Sequence, residues 1–92
     1  MSISVIIPAY KANLTIERAL ASVAKQTLKP KQVIVVDDGS EDGTYEKAEA
    51  FKKRLTGVEL KIFSQRNLGA GAARNRAISE ATGDWLAFLD AD

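Results

Sequence analysis

The chain ends in an Asp-x-Asp triplet that has the residue types of a metal site. Asp90 and Asp92 follow the apolar run WLAFL at residues 85–89. In extended backbone, residues two apart point the same way, so both carboxylates can face one ion. A hard divalent cation takes oxygen ligands and accepts water and phosphate in its open positions. Alone, the triplet is a weak signal, because Asp is also common in solvated turns after strands.

A second pair of carboxylates ends another apolar run. Asp37 and Asp38 follow VIVV at residues 33–36 and precede Gly39 and Ser40. Of two successive strand residues, one must point off the sheet edge toward the ligand side. The alternative interpretation is a turn before a helix, in which Ser40 or Asp42 caps that helix. Such capping leaves the two adjacent carboxylates unexplained.

A glycine-rich segment, NLGAGAARN at residues 67–75, leads into a predicted helix and is the third candidate site. Exposed N–H groups around Gly69 and Gly71 and the start of a helix form a potential anion site, to which Arg74 adds a fixed positive charge. The spacing imitates a dinucleotide fingerprint, and Asp90 even supplies the later acidic residue. However, Arg74 stands where the third glycine would allow close helix–strand packing. A plain loop followed by a basic helix face is the other interpretation.

Composition excludes several kinds of chemistry. The 92 residues include no cysteine and no histidine, with 46% hydrophobic residues, 27% charged residues and a net charge of +1. Disulfides, thiolate sites, a Ser-His-Asp arrangement and the commonest zinc ligand are therefore absent, and any metal must be held by oxygen, as Mg²⁺, Mn²⁺ or Ca²⁺ are. Basic residues are dispersed, which argues against a nucleic-acid partner. Apolar runs are too short for a membrane span and no signal peptide is evident, so we expect no membrane contact within this segment and a cytoplasmic location.

Alternating elements must position these residues within one domain. Apolar runs predict strands at residues 3–7, 32–37, 58–63 and 85–89, the third with a wetter face near a sheet edge and the fourth buried. Helices are predicted at 14–27, with Asn13 as N-cap, at 44–55 and at 72–81. The order βαβαβαβ indicates a parallel sheet with helices on both faces, a Rossmann-like three-layer α/β sandwich. Ligands bind beyond the carboxyl ends of such strands, where Pro8, Ala9 and Tyr10 lie beside the aspartates.

Taken together, the motifs resemble family 2 glycosyltransferases of the GT-A fold. The matching stretches are SVIIPAY at 4–10, QTLKP at 26–30, VIVVDDGSEDGT at 33–44, NLGAGAARNRAI at 67–78 and ATGDWLAFLDAD at 81–92. The resemblance covers the whole chain, and it implies a four-stranded sheet of order 3-2-1-4 that is a truncated GT-A domain. One departure is Lys11, where the family usually has Asn after the Tyr.

The resemblance implies a nucleotide-diphosphate sugar donor, with a UDP-sugar favoured, and Mn²⁺ or Mg²⁺ as cofactor. Pro8, Ala9 and Tyr10 would line the nucleoside pocket, and Asp38 would accept the ring N–H of the base. Gly69, Gly71 and Arg74 would lie by the diphosphate. Asp90 would lie near the ribose or sugar, and Asp92 most directly on the metal, with Asp90 as the second metal ligand.

The same resemblance implies inverting transfer to an acceptor hydroxyl, on a saccharide or a lipid-linked acceptor. The general base is expected downstream of residue 92, so no catalytic residue is assigned within the chain and residues 1–92 alone are expected to be inactive. The full-length enzyme is expected in the cytoplasm or at the cytoplasmic face of a membrane. Two other interpretations stay open from the residues: a dinucleotide-binding oxidoreductase domain and a non-catalytic nucleotide-binding module.

Overall fold

The chain alternates strands and helices along its whole length, in a computed structural model that describes residues 2–91. The elements in chain order are β1 (Ile3–Ala9), α1 (Ile16–Ala24), β2 (Gln32–Asp38), α2 (Thr44–Ala50), a 3₁₀ turn (Phe51–Arg54), β3 (Glu59–Gln65), α3 (Ala70–Ser79) and β4 (Trp85–Phe88). All neighbouring strands pair in parallel, in the order β3-β2-β1-β4. The predicted sheet and its order are therefore confirmed. Within residues 2–91, none of the helices has the length and apolar composition needed to cross a bilayer.

Helices cover both faces of the sheet, as predicted. Every residue of β2 is buried, and successive side chains point to opposite faces. Val33 and Val35 join the larger core cluster, which includes buried residues of α1 and of the α2 region. Ile34 and Val36 join a smaller cluster with Ala73 of α3. The small side chains on α3 let this helix lie close against the centre of the sheet.

The fourth strand differs from the expectation of a buried strand. All four residues of β4 are exposed, Trp85 to 59% and Phe88 to 58%. β4 pairs with β1 at the edge of the described sheet, whereas α3 packs on β1 and β2. An apolar run predicts a strand, but its burial depends on which elements lie over it, and no pattern within the run carries that information.

Element boundaries also shift by a few residues. β1 continues through Pro8 to Ala9 instead of ending at residue 7. The Ile6 carbonyl accepts the Leu89 N–H, so the backbone groups of Ile6 point toward β4. Those of Pro8, two residues later, point to the same side, but the pairing with β4 ends at Ile6. The lack of an N–H on Pro8 therefore costs the sheet no hydrogen bond. The alternating burial of β3 confirms its predicted wetter face and edge position.

The helices are shorter or displaced relative to the predictions. α1 begins at Ile16 because the Ala12 carbonyl already accepts the N–H groups of Thr15 and Ile16 in a preceding turn. Thr15, not Asn13, is therefore the residue before the helix. The predicted second helix ends as a 3₁₀ turn from residue 51, and the third begins two residues earlier than expected, directly after Gly69.

Candidate functional site

A cleft of about 310 Å³ opens at the carboxyl edge of the sheet. Its lining residues come from the ends of β1, β2 and β4 and from the segment that enters α3: Pro8, Ala9, Tyr10, Ala12, Asp38, Asn67, Gly69, Ala70, Ala73, Arg74, Asp90 and Ala91. Seven of the predicted site residues are in this set, so the fold brings together side chains that are up to 82 positions apart in the chain (8 to 90). Gly71 is outside the set, and Asp92 lies outside the described residues.

The end of β1 forms one wall of the cleft. Ala9 is buried and Tyr10 is 46% exposed, so the ring stands at the mouth of the cleft. Ala12, which sequence reasoning missed, is also buried and lines the cleft. This wall of the cleft is mostly apolar.

Asp38 lies at the floor and is only 3% exposed. Its Oδ1 accepts hydrogen bonds from the Gln65 side chain at 2.9 Å and the Leu68 N–H at 2.8 Å, and its Oδ2 accepts the Gly69 N–H at 2.9 Å. Burial alone would raise the pKa of this carboxyl, but the three donors outweigh burial and lower it. Asp38 is therefore an ionised acceptor that already organises the loop before α3, a role that the sequence did not reveal.

Asp37 occupies the opposite face of β2 and does not line the cleft. It is 1% exposed, and its Oδ1 accepts the Ser40 N–H at 3.4 Å. Burial raises the pKa of this carboxyl, the Ser40 side chain and the Ser40 N–H partly oppose the rise, and nearby Asp42 and Glu46 add to it. Of the two adjacent carboxylates, Asp38 is thus the one at the ligand side. Asp42 accepts the N–H of Thr44 at 3.1 Å and so holds the turn before α2. The N-cap of α2 is Gly43, which makes no side-chain cap, so the expectation that Ser40 or Asp42 is the N-cap was wrong.

The glycine-rich segment forms the opposite wall. Gly69 has φ of 103° and directly precedes α3, whose first turn leaves N–H groups at residues 70–72 without an intrahelical acceptor. The Gly69 N–H itself bonds Asp38, so it is not free to bind an anion as expected. Gly71 lies in the first turn with open space at its Cβ position. Arg74 is exposed one turn further and lines the cleft, which places a cation beside those N–H groups.

Two more cleft residues come from the same segment. Asn67 and Ala73 line the cleft although they were not among the predicted site residues. Both are in the glycine-rich motif, which was the signal available for them. Ala73 is fully buried between α3 and the sheet, so its small side chain brings the helix close to the cleft floor.

Asp90 follows β4, is exposed and supplies one carboxylate to the cleft. Across residues 2–91, no group of three or more His, Cys, Asp and Glu side chains is arranged to hold a metal ion. Mg²⁺ and Mn²⁺ sites in which substrate phosphates and water complete the shell need only one or two carboxylates. The donor set at this edge fits that kind of site, and Asp90 is the carboxylate that the described residues supply to it.

Residues 4–92 match the family described as "Glycosyl transferase family 2". The chain belongs to this family. The match confirms the resemblance seen in the motifs, and it decides against the oxidoreductase domain that the glycine spacing alone left open.

Curated relatives support the same assignment. The chain is 39% identical over 90 residues to "Cholesterol galactosyltransferase" of Borreliella burgdorferi, covering 98% of this chain and 25% of the relative. It is 40% identical over 93 residues to "Amylovoran biosynthesis glycosyltransferase AmsB" of Erwinia amylovora, covering 100% of this chain and 31% of the relative. The chain therefore spans about a quarter to a third of the length of these proteins.

Solved structures show the fold. S. aureus TarS 1–349 in complex with UDP-GlcNAc matches with a TM-score of 0.83 and 36% identity, over 100% of this chain and 27% of that one. The mannosyltransferase PcManGT from Pyrobaculum calidifontis, in complex with GDP-Man and Mn²⁺, matches with a TM-score of 0.89 and 30% identity, over 98% and 27%. The sheet described above is thus the amino-terminal part of a GT-A glycosyltransferase fold.

Proposed function

We propose that residues 1–92 are the donor-binding segment of an inverting glycosyltransferase that transfers a hexose from a UDP-sugar to an acceptor hydroxyl. The observation that carries this proposal is the single cleft in which Tyr10, Asp38, Arg74 and Asp90 meet at the carboxyl edge of the sheet. The curated relatives described above are named as glycosyltransferases. The acceptor, a saccharide or a lipid-linked molecule, and the general base are assigned to no residue of this chain.

The nucleoside lies against the β1 wall in this proposal. Pro8, Ala9 and Tyr10 provide the apolar surface for the base, and the ionised Asp38 accepts a ring N–H. Its Oδ2 accepts one protein N–H, and a carboxylate oxygen has capacity for a second. A carboxylate that accepts hydrogen bonds favours a base edge that donates, such as uracil, over one that presents a ring acceptor at that point.

The diphosphate lies between the first turn of α3 and Asp90. Transfer breaks the bond between the anomeric carbon and a phosphate oxygen, so negative charge grows on the departing UDP. Arg74 and the free N–H groups at 70–72 provide fixed positive potential for that charge. Asp90 and Asp92 would hold Mn²⁺ or Mg²⁺, which would supply Lewis-acid stabilisation of the charge on the diphosphate. In inversion, the acceptor oxygen forms its bond on the face opposite the departing UDP while its proton passes to a base outside this segment.

The donor complexes of the structural neighbours support this assignment. TarS is described with UDP and with UDP-GlcNAc, and the mannosyltransferase with GDP-Man and Mn²⁺. Both nucleotides carry a base edge with a ring N–H, which an ionised carboxylate can accept. UDP is our choice between them, because the chain is 36% identical to the UDP-GlcNAc-bound neighbour and 30% identical to the GDP-Man-bound one.

The proposal is tested by calorimetric titration with UDP, with and without Mn²⁺, and with GDP as the competing nucleotide. We expect UDP to bind more tightly when Mn²⁺ is present, because phosphate and carboxylate oxygens complete one coordination shell. Asp90→Ala and Asp92→Ala should remove most of the Mn²⁺ effect. Asp84→Ala is the matched control, since Asp84 lies at the opposite edge of the sheet beside Ser2. Equal UDP affinity with and without Mn²⁺ in every variant would contradict the metal-dependent donor site.

A further inference from the structure

Lys11 has an unusual backbone for its residue type. Its φ is 51°, and among residues 2–91 it is the one non-glycine residue in the left-handed region. Residues with a Cβ adopt this region rarely, because the Cβ approaches the neighbouring carbonyl oxygen. Neighbouring contacts must therefore hold Lys11 in place, and it directly follows Tyr10 of the cleft wall.

Side chains from the β2–α2 turn provide those contacts. Three successive backbone N–H groups after Tyr10 each donate to a different side chain of residues 40–44. The bonds are Lys11 N–H to Ser40 Oγ at 2.7 Å, Ala12 N–H to Thr44 Oγ1 at 2.9 Å and Asn13 N–H to Asp42 Oδ2 at 3.4 Å. The shortest of the three is the bond to the strained residue itself. The backbone after Tyr10 is thus attached to the turn at three consecutive points.

Ser40 is itself held in position by the buried carboxylate of Asp37. Its own N–H donates to the Asp37 Oδ1, so the buried carboxylate orients the turn from which the Ser40 hydroxyl projects. Ser40 does not line the cleft, and no atom of it is offered to a ligand there. The contact through which Ser40 reaches the cleft wall is its hydrogen bond to Lys11, which adjoins Tyr10.

Tyr10 would respond to a change at Lys11. The Lys11 Nζ lies 5.3 Å from the centroid of the Tyr10 ring, within the range of a cation–π contact. If the Lys11 N–H loses its acceptor, the residue can return to a negative φ, which the backbone prefers. That rotation moves both the ammonium group and the adjacent Tyr10, because the two residues share a peptide unit.

We propose that Ser40 is a positioning residue for the nucleotide site: by accepting the Lys11 N–H it keeps Lys11 left-handed and holds the Tyr10 ring at the cleft wall. Its consequence for nucleotide binding rests on the function proposed above. Its consequence for Tyr10 does not, so the two can be tested apart.

The first experiment observes Tyr10 in the protein without nucleotide. The chain has two tyrosines, so tyrosine-labelled protein gives two sets of ring signals by NMR. Tyr45, whose hydroxyl donates to Glu49 within α2, serves as the internal reference. In Ser40→Ala we expect the Tyr10 signals to shift or broaden while those of Tyr45 stay in place, and Ser40→Thr should restore them. Unchanged Tyr10 signals in Ser40→Ala would overturn the proposal.

The second experiment measures UDP affinity in the presence of Mn²⁺. Ser40→Ala removes one hydrogen bond that positions the cleft wall, so we expect it to bind UDP roughly three- to tenfold more weakly. Ser40→Thr, which keeps the hydroxyl, should recover the affinity. Ser22→Ala is the matched control: it loses a 2.6 Å bond to the Ala19 carbonyl on the exposed face of α1, and its UDP affinity should equal that of the unsubstituted protein.

A double-variant cycle separates positioning from a general loss of stability. Glycine adopts positive φ without strain, so in a Lys11→Gly background the loss of the Ser40 hydroxyl should matter much less for UDP affinity. An equal loss in both backgrounds would show that Ser40 acts by another route and would overturn the proposal. If the unsubstituted protein binds no UDP, the proposed function fails, and the Tyr10 signals still decide the role of Ser40.

Discussion

Asp37 and Asp38 are neighbours in the chain, but their surroundings shift their pKa values in opposite directions. Burial raises the pKa of Asp37, and the interactions of its carboxylate with the Ser40 side chain and N–H oppose that rise only in part. Burial acts on Asp38 as well, but three short hydrogen bonds overcome it and lower the pKa. Because successive strand residues face opposite sides of a sheet, one carboxylate serves the turn and the other serves the cleft.

We predict that Asp38→Asn weakens both the fold and UDP binding. The amide keeps one acceptor oxygen, but its NH₂ group must oppose at least one of the protein donors. Hydrogen bonds to charged groups contribute about 1.5–3 kcal/mol each, so a loss of that order is expected in urea unfolding at neutral pH, together with at least tenfold weaker UDP binding.

The stability difference for Asp38→Asn should depend on pH. The folded-state pKa lies below the ordinary value of 3.8, so the ionised carboxylate stabilises the fold above that value and loses its contribution as pH falls through the folded pKa. The two proteins should converge in strongly acidic solution. An equally stable variant at neutral pH would show that Asp38 does not hold the loop.

Asp37→Asn is predicted to have the opposite effect at neutral pH. The folded-state pKa of Asp37 is raised, so its neutral form stabilises the fold below 3.8 and that contribution is lost as pH rises through the folded pKa. Above that pH the buried charge costs free energy that an amide avoids, while the amide oxygen still accepts the Ser40 N–H. Melting temperatures should therefore be higher for Asp37→Asn near neutral pH and equal in acid, with exposed Asp84→Asn as the control. A lower melting temperature at neutral pH would contradict it.

The turn between β2 and α2 connects both walls of the cleft. Its residues 40–44 hold the backbone after Tyr10, and Asp38 holds the loop before α3. Gly39 brings the two loops into direct contact: it has φ of 80°, and a Cβ there would lie 2.7 Å from the Asn67 nitrogen. The cleft therefore has a preformed shape that depends on one eight-residue segment, residues 37–44.

Gly39→Ala and Gly57→Ala separate close packing from backbone conformation. Both glycines have positive φ, near 80°, but a Cβ at Gly57 meets nothing within 4 Å. Gly57→Ala should lower the free energy of unfolding only by the penalty for a left-handed backbone, about 1–2 kcal/mol. Gly39→Ala should cost more, since the Asn67 backbone must also move, and it alone should weaken UDP binding. Urea unfolding and UDP titration of the two variants test this, and equal costs would mean that the close approach at Gly39 contributes nothing.

The opposite edge of the sheet is tied together by a buried polar network. The Gln32 Oε1 accepts hydrogen bonds from the Ser4 hydroxyl at 2.6 Å and the Thr82 N–H at 2.7 Å. The Ser4 Oγ in turn accepts the Gly83 N–H at 2.8 Å. These bonds attach the segment before β4 to the starts of β1 and β2, and β4, which leads to Asp90, begins from that attachment.

Apolar burial is distributed unevenly over the sheet. The central strands β1 and β2 are covered by helices on both faces, whereas β4 has four exposed residues. The chain spans about a quarter of the length of the solved GT-A enzymes that it matches. Stability within this segment must therefore come from the β1–β2 centre and not from the apolar run at β4.

Ile34→Ala and Phe88→Ala test this distribution. Ile34 is fully buried in β2, so its truncation should cost about 2–5 kcal/mol. Phe88 is 58% exposed, and its truncation should cost about 1 kcal/mol or less, although the side chain removed is larger. Urea unfolding of the two variants measures both costs. A comparable loss for Phe88→Ala would mean that β4 is covered in solution.

Much of the fold was predictable because local patterns dictate it. The runs at Ile3 and Val33 are mostly β-branched and the run at Trp85 is wholly apolar, so all three predict strands. The intervening helices require parallel crossovers. Parallel strands end at a common edge, so the meeting of Tyr10, Asp38 and Asp90 in one cleft followed from element order alone. The roles of these residues toward a nucleotide stay predictions until the titrations are done.

Tertiary structure alone decided what each polar group does. Sequence placed Asp37 and Asp38 at a strand end, but only the packed loops supply the donors that make Asp38 a loop anchor and give Asp37 to the turn at Ser40. The attachment of the Lys11 N–H to Ser40 joins residues 29 positions apart, which no local pattern reports. Burial and hydrogen bonding depend on neighbours that the fold brings together, so the sequence alone does not show them. Strand and helix propensity depend on adjacent residues of the chain, so the sequence does show them.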